Sequence, residues 1–251
     1  MTPSTDTRTK IVATLGPASE SPEVLDEMLL AGVDVVRLNL SHGTLESHLE
    51  RMQAVREAAE RTQRVVAVLA DLPGPKVRSG QFPAGGGVLV GGATLVLTPA
   101  EGASTIERIT VDYPTLLTDL QPGDRVVLGD GAISLQALSV DDEAVHCVVL
   151  TGGTVQGRPG VHLPSERLRL TTPTEDDLVL GKAMAEAGAD FLAVSFVRAA
   201  HDLRVVREAI LPHTTRLVAK IETMPAVLGL EAIAAEADAV MVARGDLGIE
   251  C

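Results

Sequence analysis

Short apolar runs alternate with helical segments over the first 70 residues, and that alternation restricts the fold more than any other property of the chain. Residues 10–15, 33–40 and 65–69 are rich in Val, Leu and Ala and short enough to be strands. Residues 22–30 place Val24, Leu25, Met28 and Leu29 on one helical side, and Gly32 closes that helix. Residues 44–61 do the same with Leu45, Leu49, Met52 and Val55. A strand–helix–strand–helix–strand order predicts a parallel sheet or barrel, because parallel neighbours need a crossover between them.

The pattern breaks at about residue 79. From there to residue 169 no stretch reads as a helix of normal length. Short runs at 88–90, 94–98, 125–128, 133–138 and 144–150 are separated by Gly-rich and Pro-Gly turns, which predicts a small antiparallel β-domain inserted after the third strand. Alternation resumes with helix 174–188, in which Thr174 is the N-cap and Gly188 the stop. Strand 191–196, helix 200–211, strand 216–221, helix 226–235 and strand 239–243 follow. The expected organisation is therefore an α/β domain from residues 1–78 and 170–251, with a β-rich insert at 79–169. Polar residues end nearly every strand, which favours a (β/α)8 TIM-type barrel, here truncated after its sixth strand, over a doubly wound sheet.

Composition narrows the function. The net charge of −13 argues against nucleic acid or an anionic membrane as partner, so an anionic substrate needs local Arg and Lys. Two cysteines give no disulfide framework, the first residues hold no apolar leader, and no 18-residue apolar run is present. These features predict a cytoplasmic protein.

The chemistry concentrates at strand ends. Lys220 and Glu222 lie two apart, so on a strand they share a face, and Arg244-Gly245-Asp246 follows the next strand. A cation beside two carboxylates suggests a divalent metal and an anionic substrate, with Glu222 and Asp246 as oxygen ligands; the alternative is a structural ion pair. Arg37, Asn39 and Ser41 alternate with apolar residues after strand two, as either a site or a solvated edge. Asp71, Lys76 and Arg78 sit in a segment stiffened by Pro73, Gly74 and Pro75, which also reads as a linker into the insert. Phosphate-loop, dinucleotide and zinc-spacing motifs are missing.

Together these residues resemble the pyruvate kinase family. The resemblance is carried by residues 10–19 (KIVATLGPAS), 37–43 (RLNLSHG), 71–78 (DLPGPKVR), 219–222 (AKIE) and 242–248 (VARGDLG), in family order around the inserted β-domain. It implies a glycolytic transferase that moves a phosphoryl group from phosphoenolpyruvate to ADP, giving pyruvate and ATP. It implies Glu222 and Asp246 as Mg²⁺ ligands, with Mn²⁺ as a substitute. Lys220 then stabilises the phosphoryl group in flight and the enolate oxygen, and Arg37 grips the transferring phosphate. Arg78 and Asn39 serve the nucleotide, while the backbone at Ala243, Gly245 and Asp246 meets the substrate carboxylate. Many members bind K⁺ near the positions of Asn39, Ser41, Asp71 and Leu72, with Glu where Lys76 stands; Lys76 implies that K⁺ is not required. His162 departs from the Asn of the family pattern.

The family is homotetrameric and continues through two more β/α units and a C-terminal domain, so a barrel lacking them is expected to leave open sheet edges. Two other readings remain at this level. One is a Mg²⁺-dependent aldolase acting on pyruvate enolate. The other is a non-catalytic partner of a longer kinase chain.

Overall fold

The computed structural model describes residues 9–129, 131–164 and 167–250, apart from the side chain of Glu250. Contacts divide the chain into two compact units. One holds the described residues up to Gly74, Thr172–Ile221 and Gly229–Met241; the other holds Pro75–Thr171, Glu222–Leu228 and the described residues from Val242.

The first unit begins with β1 (Val12–Thr14), α1 (Pro22–Leu30), β2 (Val35–Asn39), α2 (Leu45–Thr62) and β3 (Ala67–Asp71). Ser21 caps α1 by accepting from the Val24 amide, and Pro22 occupies a position where no amide donor is needed. A capping box between Thr44 and Ser47 starts α2. The buried stripe of α2 is His48, Met52, Val55 and Ala58, so His48 takes a core place that the sequence pattern gave to Leu45 and Leu49. Burial, and secondarily Arg51, lowers the His48 pKa. The third strand starts later than the apolar run predicts: Val65 is 97% exposed, and pairing begins where the Ala67 amide donates to Asp34.

The second unit follows with β4 (Gly87–Leu89), β5 (Thr94–Pro99), β6 (Arg108–Val111), the one-turn α3 (Leu116–Asp119), β7 (Arg125–Leu128), β8 (Ile133–Val140), β9 (Val145–Thr151), β10 (Gly153–Val155) and β11 (Val161–His162). Strands β6, β10 and β11 are too short or too polar to stand out in the sequence. The main sheet runs β11-β7-β8-β9-β5-β6 and is antiparallel except between β5 and β6. Residues 78 and 79 join its two edges, with Arg78 bridged to Gly160 beside β11 and Ser79 to Val111 of β6. That closure leaves no room at Gly80, where a Cβ would lie 2.0 Å from both the Gly102 carbonyl and the Thr110 hydroxyl. The interior is filled by small aliphatic side chains with Phe82 and Tyr113. Cys147 is buried there, which pushes its thiol up to about 12. The Tyr113 and Thr115 hydroxyls donate to buried Asp119, and Arg169 pairs with the same carboxylate, pinning the returning chain.

The remainder comprises α4 (Glu175–Glu186), β12 (Phe191–Val194), α5 (Ala200–Ala209), β13 (Arg216–Ile221), α6 (Met224–Leu228), α7 (Leu230–Glu236), β14 (Ala239–Val242) and α8 (Arg244–Glu250). The single helix expected at 226–235 is broken at Gly229, and the residues after β14 turn directly into α8. Strand order in the first unit's sheet is β1-β2-β3-β12-β13-β14, with parallel register through β13. Both edge strands carry exposed valines, Val12 and Val242.

This sheet has two unlike faces. Val36, Leu38, Val68, Ala70, Leu192, Leu217 and Ala219 are fully buried on the helix side. The opposite face gathers Val35, Leu69, Phe191, Ala193, Val218 and Met241. Its register is fixed by a motif that recurs at alternate strand pairs. Asp34, Asp190 and Asp238 each stand one residue before a strand. Their amides donate to the carbonyls of Ile11, just before β1, of Val68 in β3 and of Leu217 in β13, and their carboxylates accept from the amides of those same residues at 2.7–2.8 Å. A cation sits on each carboxylate: Lys10, Arg56 and Arg207 respectively. The backbone amide bond is the leading reason that Asp34 and Asp238 titrate below the usual carboxylate range.

Candidate active site

The face that is apolar along most of its length turns polar where β2, β3, β12 and β13 end. Side chains alternate across a strand, so Arg37 follows Val35, Asp71 follows Leu69, Ser195 follows Ala193 and Lys220 follows Val218 on one face. Parallel register brings these ends level, with Asp71 opposite both Asn39 and Ala193.

Asp71 is the centre of the cluster. Its carboxylate, 2% exposed, accepts from Arg37 Nε at 2.6 Å and pairs with Arg37 Nη2. Its other oxygen accepts from the Ser195 hydroxyl at 3.3 Å and lies 3.3 Å from Lys220 Nζ. Lys220 also donates to Ser195 Oγ at 2.7 Å, and Arg37 Nη1 donates to Thr14 Oγ1 at 3.0 Å. Two cations share one carboxylate, so the cluster carries a net positive charge within a chain of net charge −13. Such a charge, held by hydrogen bonds before any ligand arrives, suits an anionic group.

Asn39 and Ser41 do not continue this face together. β2 ends at Asn39, whose side-chain oxygen accepts from the Ser41 amide at 3.2 Å, so Ser41 belongs to a turn. Ser195, which the sequence shows only as a polar strand end, and Thr14 are the participants to which sequence reasoning gave no role. Ser195 carried a signal, as a lone hydroxyl directly after the apolar β12; Thr14 carried none beyond its place at the end of β1.

In the second unit, Arg78 Nη1 donates to the Arg158 carbonyl at 3.4 Å. Lys76 is exposed, and its Nζ and His162 Nε2 flank the position a Cβ would take on Gly160. Glu222, immediately after β13, is 1% exposed. Asp246 lies in the first turn of α8, with its Oδ1 3.9 Å from His162 Nδ1. Arg125, Arg244, Gly245 and Gly248 line a small cleft of about 290 Å³. No cluster of three or more His, Cys, Asp or Glu side chains with metal-holding geometry occurs among the described residues. No described helix is long and apolar enough to cross a membrane.

The family description "Pyruvate kinase, barrel domain" matches residues 6–251. The chain belongs to the pyruvate kinase family. Among its relatives, the pyruvate kinase of Geobacillus stearothermophilus is 42% identical over 97% of this chain and 42% of its own length. That of Corynebacterium glutamicum is 42% identical over 98% of this chain and 52% of its own length. The pyruvate kinase of Thermococcus litoralis is 37% identical over 97% of this chain. The chain thus spans about half the length of the pyruvate kinases it matches. Neither the aldolase reading nor that of a non-catalytic partner finds support in these matches.

Proposed function

We propose that this chain carries the phosphoryl-transfer chemistry of pyruvate kinases, moving a phosphoryl group from phosphoenolpyruvate to ADP to give pyruvate and ATP. The observation that carries this reading is the pair of cations, Arg37 and Lys220, held on buried Asp71 at the ends of the parallel strands β2, β13 and β3. Phosphoryl transfer asks a protein mainly for positioned positive charge, because the transferring group spreads its negative charge over its oxygens. Arg37 spends three of its five N–H donors on Asp71 and Thr14 among the described residues, which leaves two for a phosphate oxygen. Lys220 is aimed by Ser195 and Asp71, and it faces the phosphoryl group and then the enolate oxygen. Asn39 and Arg78 hold the nucleotide, and the backbone of Ala243 and Gly245 receives the substrate carboxylate.

Glu222 and Asp246 offer hard carboxylate oxygens, the donor type that Mg²⁺ takes alongside substrate phosphates. Bound there, Mg²⁺ or Mn²⁺ would supply charge neutralisation between the two phosphate-bearing substrates. Lys76 brings a tethered ammonium in place of K⁺.

A coupled assay for pyruvate with phosphoenolpyruvate, ADP and Mg²⁺ tests the reading. Pyruvate should form only with ADP, at equal rates in Na⁺ and K⁺ at constant ionic strength, and Lys220→Ala should lower the rate by about a thousandfold, as losing a charge-stabilising donor does. ADP-independent pyruvate, no ADP-dependent pyruvate, or an unaffected Lys220→Ala variant would overturn it; a strong K⁺ requirement would overturn the role given to Lys76.

A further inference from the structure

His162 lies on β11 with its side chain 16% exposed, and its Nε2 is 3.0 Å from the Gly129 carbonyl. A carbonyl oxygen only accepts, so Nε2 carries the ring proton and donates. In the neutral imidazole the lone pair is then on Nδ1. That atom stands 3.9 Å from Asp246 Oδ1, beyond hydrogen-bonding reach. With the ring neutral, a nitrogen and an oxygen that can each give an electron pair face one another across that gap.

The gap is close to the size a metal ion needs. Metal–nitrogen and metal–oxygen bonds of about 2.1 Å put two ligand atoms roughly 3.4 Å apart in a tetrahedral shell and roughly 3.0 Å apart in an octahedral one, so a movement of about half to one ångström seats a cation between them. The bond to Gly129 adds independent support, since a histidine that ligates a metal ordinarily donates its other ring proton to a carbonyl or carboxylate, fixing tautomer and orientation.

We infer that His162 Nδ1 and Asp246 form a nitrogen–oxygen ligand pair that draws first-row transition metals such as Co²⁺, Mn²⁺ or Zn²⁺ to this place. The inference rests on Asp246 being a metal ligand under the proposed function, and it adds a nitrogen donor that sets metal preference. Imidazole suits transition metals, whereas Mg²⁺ favours an all-oxygen shell. His162 should therefore strengthen Co²⁺ binding and leave Mg²⁺ binding nearly unchanged.

Calorimetric titration of the full 251-residue chain with CoCl₂ alone and with MgCl₂ alone tests this. The variants are His162→Asn and Asp246→Asn, each checked for folding by circular dichroism. His162→Asn should weaken Co²⁺ about tenfold or more and change Mg²⁺ less than twofold. Pulsed EPR of the Mn²⁺-loaded chain should show nitrogen-14 modulation that His162→Asn removes. Unchanged Co²⁺ affinity in His162→Asn, or no nitrogen modulation in the wild type, overturns the inference and leaves the carboxylate ligands standing. Unchanged Mg²⁺ affinity in Asp246→Asn overturns the metal assignment beneath it.

Discussion

Replacing Asp71 by Asn keeps the shape of the side chain and deletes the charge that Arg37 and Lys220 share. At 3.3 Å and an effective dielectric of 20, the Lys220–Asp71 attraction is about 5 kcal/mol before desolvation is subtracted. Asp71 and Lys220 are 2% and 12% exposed, so solvent screens the pair little, whereas Arg37 at 26% keeps more contact with water. Breaking a buried pair from one side costs about 3–5 kcal/mol, because the remaining charge stays desolvated. The lower end applies, since Ser195 still accepts from Lys220 and the Asn carbonyl still accepts from Arg37. A loss of about 3 kcal/mol, at a urea slope of about 2 kcal/mol per molar, moves the midpoint down by about 1.5 M. Circular dichroism at 222 nm follows the unit concerned, because the longer helices α1, α2, α4 and α5 belong to it. Adding Lys220→Met to Asp71→Asn should restore part of the loss, with a coupling of about 1.5 kcal/mol or more. A midpoint shift under about 0.5 M, or strictly additive effects, would refute the view that buried Asp71 holds both cations.

Two predictions concern the second unit, whose lone tyrosine, Tyr113, reports on it in a chain without tryptophan. Gly80→Ala drives a Cβ into the Gly102 carbonyl and the Thr110 hydroxyl, at a cost of about 4 kcal/mol or more; Tyr113 fluorescence should show this unit unfolded while the helical signal persists, and a native Tyr113 signal with unchanged melting would contradict the closure described at Ser79 and Gly80. His146, and then the Glu143 and Ala144 amides, hold Asp141 down at about 2. Its folded value lies below the unfolded one, so its contribution is complete above about pH 4 and is lost as pH falls towards 2; Asp141→Asn should flatten the acid limb of the melting profile in that window, and an identical limb would count against the contact.

Much of this fold was legible because its periodicities are local. Capping at Thr174 and the apolar strand runs of β2, β12 and β13 follow from near neighbours in the chain. The closure of the second sheet was not legible, since it depends on Arg78 and Ser79 meeting Gly160 and Val111 across long separations. The late start of β3 has the same origin, for the Ala67 amide finds its acceptor in Asp34. At the site, the residue types were readable but their grouping was not. Asp71 looked like part of a stiff turn with Lys76 and Arg78, whereas register places it between Arg37 and Lys220. The aspartates that lock the sheet did leave a trace, in Ala31-Gly32-Val33-Asp34, Ala187-Gly188-Ala189-Asp190 and Ala235-Glu236-Ala237-Asp238, a recurrence visible only once its role is known.

Those three aspartates separate two duties along each strand. Asp34, Asp190 and Asp238 act where strands begin, and Arg37, Asp71, Ser195 and Lys220 stand where strands end. Alignment is thus decided at one rim by groups that touch no candidate ligand position, and the other rim is released from that duty. Side chains at the strand ends can be exchanged for different chemistry without inviting neighbouring strands to slip. A scaffold wired in this way tolerates experiment at its working rim and punishes it at the opposite one.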